Sequence, residues 1–283
     1  MFVFKAAVVG AGTMGGEIAQ TIANAEIPVV LKDVKDEFVE QGIEKARSLW
    51  QGRVDQGKLE AGELQRKLLL IQGTTSYDAF RDVDFVIEAV PERMEIKQAV
   101  FSELDAVTPG HAILASNTSS LSITEMGDVT SRPDKVVGFH FFYPASMMRL
   151  IEVIEGDDTS PETAQAAVTF AQRIRKMPIR CAEAPGFVVN RILNSSVSEL
   201  WRYQMETGID VQELDRIVAD SKAAPMGPFY LTDLLGLDTV LHVAMHLADS
   251  YGDRFCVHPG MKKLVAEGHL GAKTGKGFYE HGA

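Results

Sequence analysis

Cysteine is scarce: two in 283 residues, Cys181 and Cys256, with no CxxC pair. That excludes a disulfide-dense scaffold and fits a reducing compartment. Positive charge is in deficit, with 28 Lys and Arg against 39 Asp and Glu, a net charge of −11. A nucleic-acid or anionic-membrane binder usually needs a basic surface, so neither partner is expected, although a few local lysines can still hold an anionic ligand. No apolar run approaches the roughly 20 residues of a spanning helix. No internal repeat, low-complexity stretch or metal-ligand cluster stands out. Neither a signal peptide nor an Arg-rich transit segment is read at the start, where Met1 to Lys5 leads directly into a strand. The expected location is cytoplasmic, with the mitochondrial matrix open if a leader has been removed.

What is present is ordinary globular material, 46% hydrophobic and 24% charged, long enough for two modest domains. Short apolar runs recur at 6–9, 28–31, 68–71, 85–87, 112–114, 136–137, 150–154 and 178–181. Continuous apolar strands without alternation suit a parallel sheet covered on both faces. Helical periods between them predict a βαβ architecture. Residues 37–67 carry no strand signal. Phe38, Gly42, Ile43, Ala46, Leu49 and Trp50 fall at helical spacing, Gly52 and Gly57 interrupt, and a second helical piece starts at Glu60. That reads as a helical hairpin projecting from the sheet. After Pro185-Gly186 the pattern is helical throughout. The expected fold is therefore an α/β Rossmann-type dinucleotide-binding domain with an inserted helical hairpin, residues 1–184, followed by an all-α domain, 185–283.

Gly10-Ala11-Gly12-Thr13-Met14-Gly15 fits GxGxxG in the context that gives the pattern meaning, after a strand and opening a helix. Gly10 allows the tight turn, Gly12 admits a pyrophosphate against the backbone, and Gly15 lets helix and strand approach. Amides at the helix start then hold the diphosphate. Asp33 ends the second strand about 20 residues on, where a carboxylate accepts ribose hydroxyls and repels a 2′-phosphate. The expected cofactor is NAD rather than NADP.

His140 lies at the end of a predicted strand, and Glu152 lies inside another. A carboxylate in such a strand is costly unless paired, and histidine is a natural partner. Removing a hydride from an alcohol requires a base for the hydroxyl proton, a task suited to imidazole. A glutamate on the other ring nitrogen would fix its tautomer. On pattern alone, a lone strand histidine is more often a satisfied core or edge residue.

Seven blocks, in order, resemble the 3-hydroxyacyl-CoA dehydrogenase family. They are Gly10 to Gly15, Glu88 to Glu92, Ala115 to Leu121, Phe139 to Phe142, Pro185 to Arg191, Pro225 to Phe229, and Lys273 to Tyr279. They run nearly end to end, and Ser-Asn-Thr-Ser-Ser and Pro-Gly-Phe-x-x-Asn-Arg are far more specific than GxGxxG. The resemblance implies NAD-dependent oxidation of a (S)-3-hydroxyacyl-CoA, with His140 as base and Glu152 as its partner. Ser119 and Asn190 would contact substrate. Thr13, Met14, Ala89, Val90, Glu92, Lys97, Asn117, Ser119, Tyr143 and Lys273 would line the NAD site beside the glycines and Asp33. Lys58 in the hairpin would meet a CoA phosphate. The resemblance also implies an active site between the domains and a homodimer held by the second one. The family usually reads His-Phe-Phe-Asn-Pro where this chain has Tyr143, and tyrosine cannot copy an amide's paired donor and acceptor. That puts nicotinamide orientation and substrate range in question. Two rival readings follow: a related dehydrogenase of a free hydroxy acid, and an NAD-binding structural or regulatory protein.

Overall fold

A computed structural model describes residues 2–282. The chain divides into two compact units, Met1–Glu183 and Ala184–Ala283.

The first unit runs β1 (Ala6–Val9), α1 (Thr13–Asn24), β2 (Val29–Lys32), α2 (Asp36–Asp55), α3 (Ala61–Leu68), β3 (Ile71–Thr74), β4 (Phe85–Glu88), α4 (Met94–Val107), β5 (Ile113–Ser116), α5 (Ile123–Gly127), β6 (Val136–Phe141), β7 (Leu150–Glu155), α6 (Pro161–Arg173) and β8 (Met177–Ala182). The eight strands form one sheet in the order β3-β2-β1-β4-β5-β6-β7-β8. The first six are parallel; β7 runs antiparallel to β6, and β8 is parallel to β7. Strand order reverses between β1 and β4, which opens a crevice at the carboxyl edge of an open α/β sheet. The inner strands β1, β2, β4 and β5 are buried along their whole length, as a sheet covered on both faces requires. Phe85, Phe139 and Phe170 cluster beneath β4 and β6, with ring centroids 4.5–5.9 Å apart.

Three expectations shift. The apolar run at 68–71 is not a strand: Leu68 closes α3, Leu69 is 87% exposed, and β3 begins only at Ile71. Four apolar residues fit either period, and the helix won because Leu64 and Leu68 lie on its core-facing side. The run at 136–137 extends to Phe141, which makes a longer strand than its apolar start and keeps His140 at the strand's end, where it was expected. The hairpin projects less than its polarity implied. Val39, Gly42, Ala46 and Trp50 of α2 are buried, and a Cβ on Gly16 would stand 2.6 Å from the Gly42 carbonyl oxygen. Two glycines thus let α1 and α2 cross in contact.

The second unit is helical: α7 (Val189–Thr207), α8 (Val211–Asp220), α9 (Pro228–Leu235), α10 (Leu237–Tyr251) and α11 (Pro259–Ala266). Its core gathers Trp201, Leu214, Phe229, Leu237 and Met261. The tail beyond α11 closes on itself through isolated bridges at Gly271, Lys276 and Glu280. Among the described residues no helix is long and apolar enough to cross a membrane, and no group of three or more His, Cys, Asp or Glu could hold a metal ion.

Candidate active site

The carboxyl edge of the sheet is built from strand ends laced together. Gly10 N–H donates to the Lys32 carbonyl, Ala89 N–H to Val9, and Asn117 N–H to Glu88. Three glycines do three different jobs there. Gly10 has φ +100°, and a Cβ on it would lie 2.5 Å from the Ala89 carbonyl oxygen. A Cβ on Gly15 would lie 1.7 Å from the Gly10 oxygen. A Cβ added to Gly12 would meet nothing within 4 Å, so that face is open to a ligand. No side chain caps α1 at Gly12, and no acid sits in its first turn. Met14 is half-buried against the core, while Thr13 is exposed. The Asp33 carboxylate accepts from Ala11 N–H at 2.6 Å through one oxygen and from Val34 N–H at 2.6 Å through the other. Uncapped helix amides, an open glycine face and a half-buried carboxylate at the tip of β2 fit a dinucleotide.

Beside this cradle lies a network whose central member was not singled out from the sequence. Glu88, fully buried at the end of β4, accepts from Val90 N–H at 2.7 Å, Ser116 Oγ at 2.6 Å and Lys97 Nζ at 2.8 and 3.0 Å. Lys97, in the first turn of α4, also pairs with Glu92 at 3.2 Å. Glu92 in turn accepts from Thr118 Oγ1 at 2.6 Å, Ser119 N–H at 2.9 Å and Ser119 Oγ at 3.3 Å. Burial works against the Glu92 anion, but the Lys97 charge and the bonds from Thr118 and Ser119 hold its carboxyl below the ordinary range. The network fixes the loops after β4 and β5 to each other. Its sequence signal was a glutamate closing the apolar run Phe85-Val86-Ile87. Ser119 does not cap α5; Ser122 does, accepting from Glu125 N–H.

Antiparallel pairing of β6 and β7 sets His140 opposite Glu152. His140 Nδ1 lies 2.9 Å from Glu152 Oε2, with Glu152 fully buried and His140 6% exposed. A carboxylate at this position can only accept, so against it Nδ1 would donate and Nε2 would be the basic nitrogen. Asn117 Oδ1 accepts from Phe141 N–H at 2.9 Å and ties the β5 loop to the end of β6. Tyr143 follows, 56% exposed, joined to Pro144 by a cis peptide bond. Histidine, tyrosine, Asn117 and the glycine turn therefore share one edge of one sheet.

The remaining expected residues are carried by other elements. Lys58 sits in the turn between α2 and α3, its amine 2.7 Å from Gln56 Oε1. In the second unit, Asn190 lies in the first turn of α7, its carbonyl accepting from Asn194 Nδ2. Lys273 pairs with Asp238 at 2.5 and 2.7 Å. Two buried acids explain the motifs around them. Asp215 accepts from Phe229 N–H, Tyr230 N–H and Tyr279 Oη. Asp233 accepts from Phe278 N–H and Tyr279 N–H and pairs with His281. A Cβ on Gly227 would stand 2.2 Å from Asp215, and one on Gly277 2.3 Å from Asp233. Those glycines serve a structural bracket.

The sequence profile described as "3-hydroxyacyl-CoA dehydrogenase, NAD binding domain" matches residues 5–184, and "3-hydroxyacyl-CoA dehydrogenase, C-terminal domain" matches 186–281. A 3-hydroxybutyryl-CoA dehydrogenase of Clostridioides difficile is 40% identical over 98% of this chain and 99% of its own. The fatty acid oxidation complex subunit alpha of Pseudomonas savastanoi pv. phaseolicola is 39% identical, and the chain spans only 38% of its length. The crystal structure of (S)-3-hydroxybutyryl-CoA dehydrogenase from Ralstonia eutropha superposes with a TM-score of 0.95 at 37% identity, covering 100% of both chains.

Proposed function

The chain belongs to the 3-hydroxyacyl-CoA dehydrogenase family, and from that premise we propose that it interconverts (S)-3-hydroxyacyl-CoA and NAD⁺ with 3-oxoacyl-CoA, NADH and a proton. The observation that carries this reading is the buried His140–Glu152 pair, 2.9 Å apart, at the edge where the glycine turn opens. Bound NAD⁺ would supply the hydride acceptor. Glu152 holds the His140 ring with Nε2 as the base that takes the hydroxyl proton. Asp33 selects NAD through the ribose, and Gly10, Gly12 and Gly15 with Ala89 and Val90 hold the diphosphate side. Glu92 and Lys97 shape that wall through Ser119 and the β5 loop. Ser119 and Asn190 orient the substrate, Lys58 meets a CoA phosphate, and Tyr143 lies beside the nicotinamide. Lys273 belongs to the cofactor side in this reading. Residues 1–184 serve as the NAD domain; 185–283 carry the substrate side and a homodimer contact. The enzyme works in the cytoplasm.

Purified protein with NADH and acetoacetyl-CoA should lose NADH absorbance, whereas free acetoacetate should not replace the thioester and NADPH should be a poor donor. Silence with short and long acyl chains alike contradicts the reading. Turnover of acetoacetate as fast as its thioester supports the free-hydroxy-acid alternative instead.

A further inference from the structure

The eight residues 142–149 join the two halves of the His140–Glu152 pair and carry Tyr143. They have no regular structure of their own, so something outside must hold them. That support comes from α1. Glu17, in the second turn of the helix whose first turn borders Gly12, is a carboxylate only 1% exposed. Its Oε2 accepts from Ser146 N–H at 3.1 Å and from Ser146 Oγ at 3.2 Å. Lys45 of α2 pairs with the other oxygen at 3.4 Å. One turn on, Thr21 Oγ1 reaches the Ala145 carbonyl at 3.4 Å. From the far side, Lys176 Nζ donates to the carbonyls of Ala145 and Met148. Burial holds the Lys176 ammonium below the ordinary lysine range, with Glu17 acting in the opposite direction. A buried acid is costly unless it is paired and bonded, and here its bonds go to a connection rather than to its own helix.

We propose that Glu17 is a positioning residue that locks the 142–149 connection, and with it Tyr143 and the His140–Glu152 pair, to the helix that bears the dinucleotide turn. The inference rests on the dehydrogenase reading above. Glu17 touches no reacting atom. It acts by making the cofactor helix and the catalytic connection one body.

Kinetics with acetoacetyl-CoA and NADH test it. Glu17→Ala should lower kcat by about ten- to a hundredfold, the scale of a small misplacement of reacting groups, and leave the NADH dissociation constant within about twofold. Glu17→Gln, which keeps a carbonyl acceptor for Ser146, should recover most of the lost kcat. Ser146→Ala, which keeps the backbone N–H bond to Glu17, should lose less than Glu17→Ala, and the double variant should be no slower than Glu17→Ala, because the hydroxyl bond removed by the second substitution is already lost in the first. An unchanged kcat in Glu17→Ala, or additive losses in the double variant, overturns the proposal. If Glu17→Ala does not fold, Ser146→Ala decides: a partial loss of kcat supports it and wild-type kcat overturns it. A wild-type enzyme silent with every acyl-CoA removes the dehydrogenase reading itself, a different failure.

Discussion

At the scale of single residues, the fully buried Glu88 and Glu152 carboxylates each need a partner that holds their charge. Glu152 announced a partner because a carboxylate in an apolar strand has to be answered, and His140 answers it at 2.9 Å. Lys97 carried no such signal. On a helix it looks like a solvent-facing charge, yet it is 1% exposed and divided between Glu88 and Glu92. Lys97→Met should therefore cost about 3–5 kcal/mol, since it leaves the fully buried Glu88 carboxylate without its cation, a loss thermal denaturation will register. Asp33→Ala should weaken NADH binding and narrow the preference for NADH over NADPH by about tenfold, measured as a ratio of kcat/KM values, because the barrier to a 2′-phosphate is the carboxylate itself.

At the scale of elements, the alternation of strands and helices was plain, and seven of the eight strands start within a residue of their apolar runs, whereas the run taken for the third closes α3. Their registers and the reversal at β7 were not, because period-two and continuous apolar runs say nothing about direction. The His140–Glu152 geometry depends on that reversal: only an antiparallel β6–β7 pair sets residues 140 and 152 face to face across a connection of eight residues. The glycine turn offers a matched pair of predictions. Gly15→Ala puts a Cβ 1.7 Å from the Gly10 oxygen, so α1 must leave β1; overpacking of that kind costs about 1–3 kcal/mol, and NADH binding should fall with the melting temperature. Gly12→Ala places its Cβ in open space. It should melt within about 0.5 kcal/mol of wild type and still bind NADH poorly by fluorescence titration, because the methyl group occupies the face that the diphosphate needs.

At the scale of the whole molecule, the two-unit organisation followed from a change of pattern at Pro185-Gly186. The structural acids of the second unit stayed hidden, because Asp215 and Asp233 look solvated until the glycines beside them bring the tail onto their carboxylates. Stability against acid should have a visible local contributor. Glu26 is pulled from 4.5 to about 2 by hydrogen bonds from Arg66 and then Lys67. A carboxyl with a depressed folded pKa stabilises the fold above its unfolded pKa and loses that contribution as pH falls through the folded one. Glu26→Gln should thus cost well under about 1 kcal/mol at pH 7, given its exposure, and the difference from wild type should vanish between pH 4.5 and 2. Sedimentation at the mass of two chains is the expected outcome for the proposed homodimer.

The central claim is that His140, oriented by Glu152, moves the proton in a 3-hydroxyacyl-CoA dehydrogenase reaction. Its most direct test compares wild type and His140→Ala with acetoacetyl-CoA, reading turnover and NADH affinity on the same preparations. The expected result is an NADH dissociation constant within about twofold of wild type and a kcat lowered about a hundredfold or more. Turnover that survives the loss of the imidazole would contradict it.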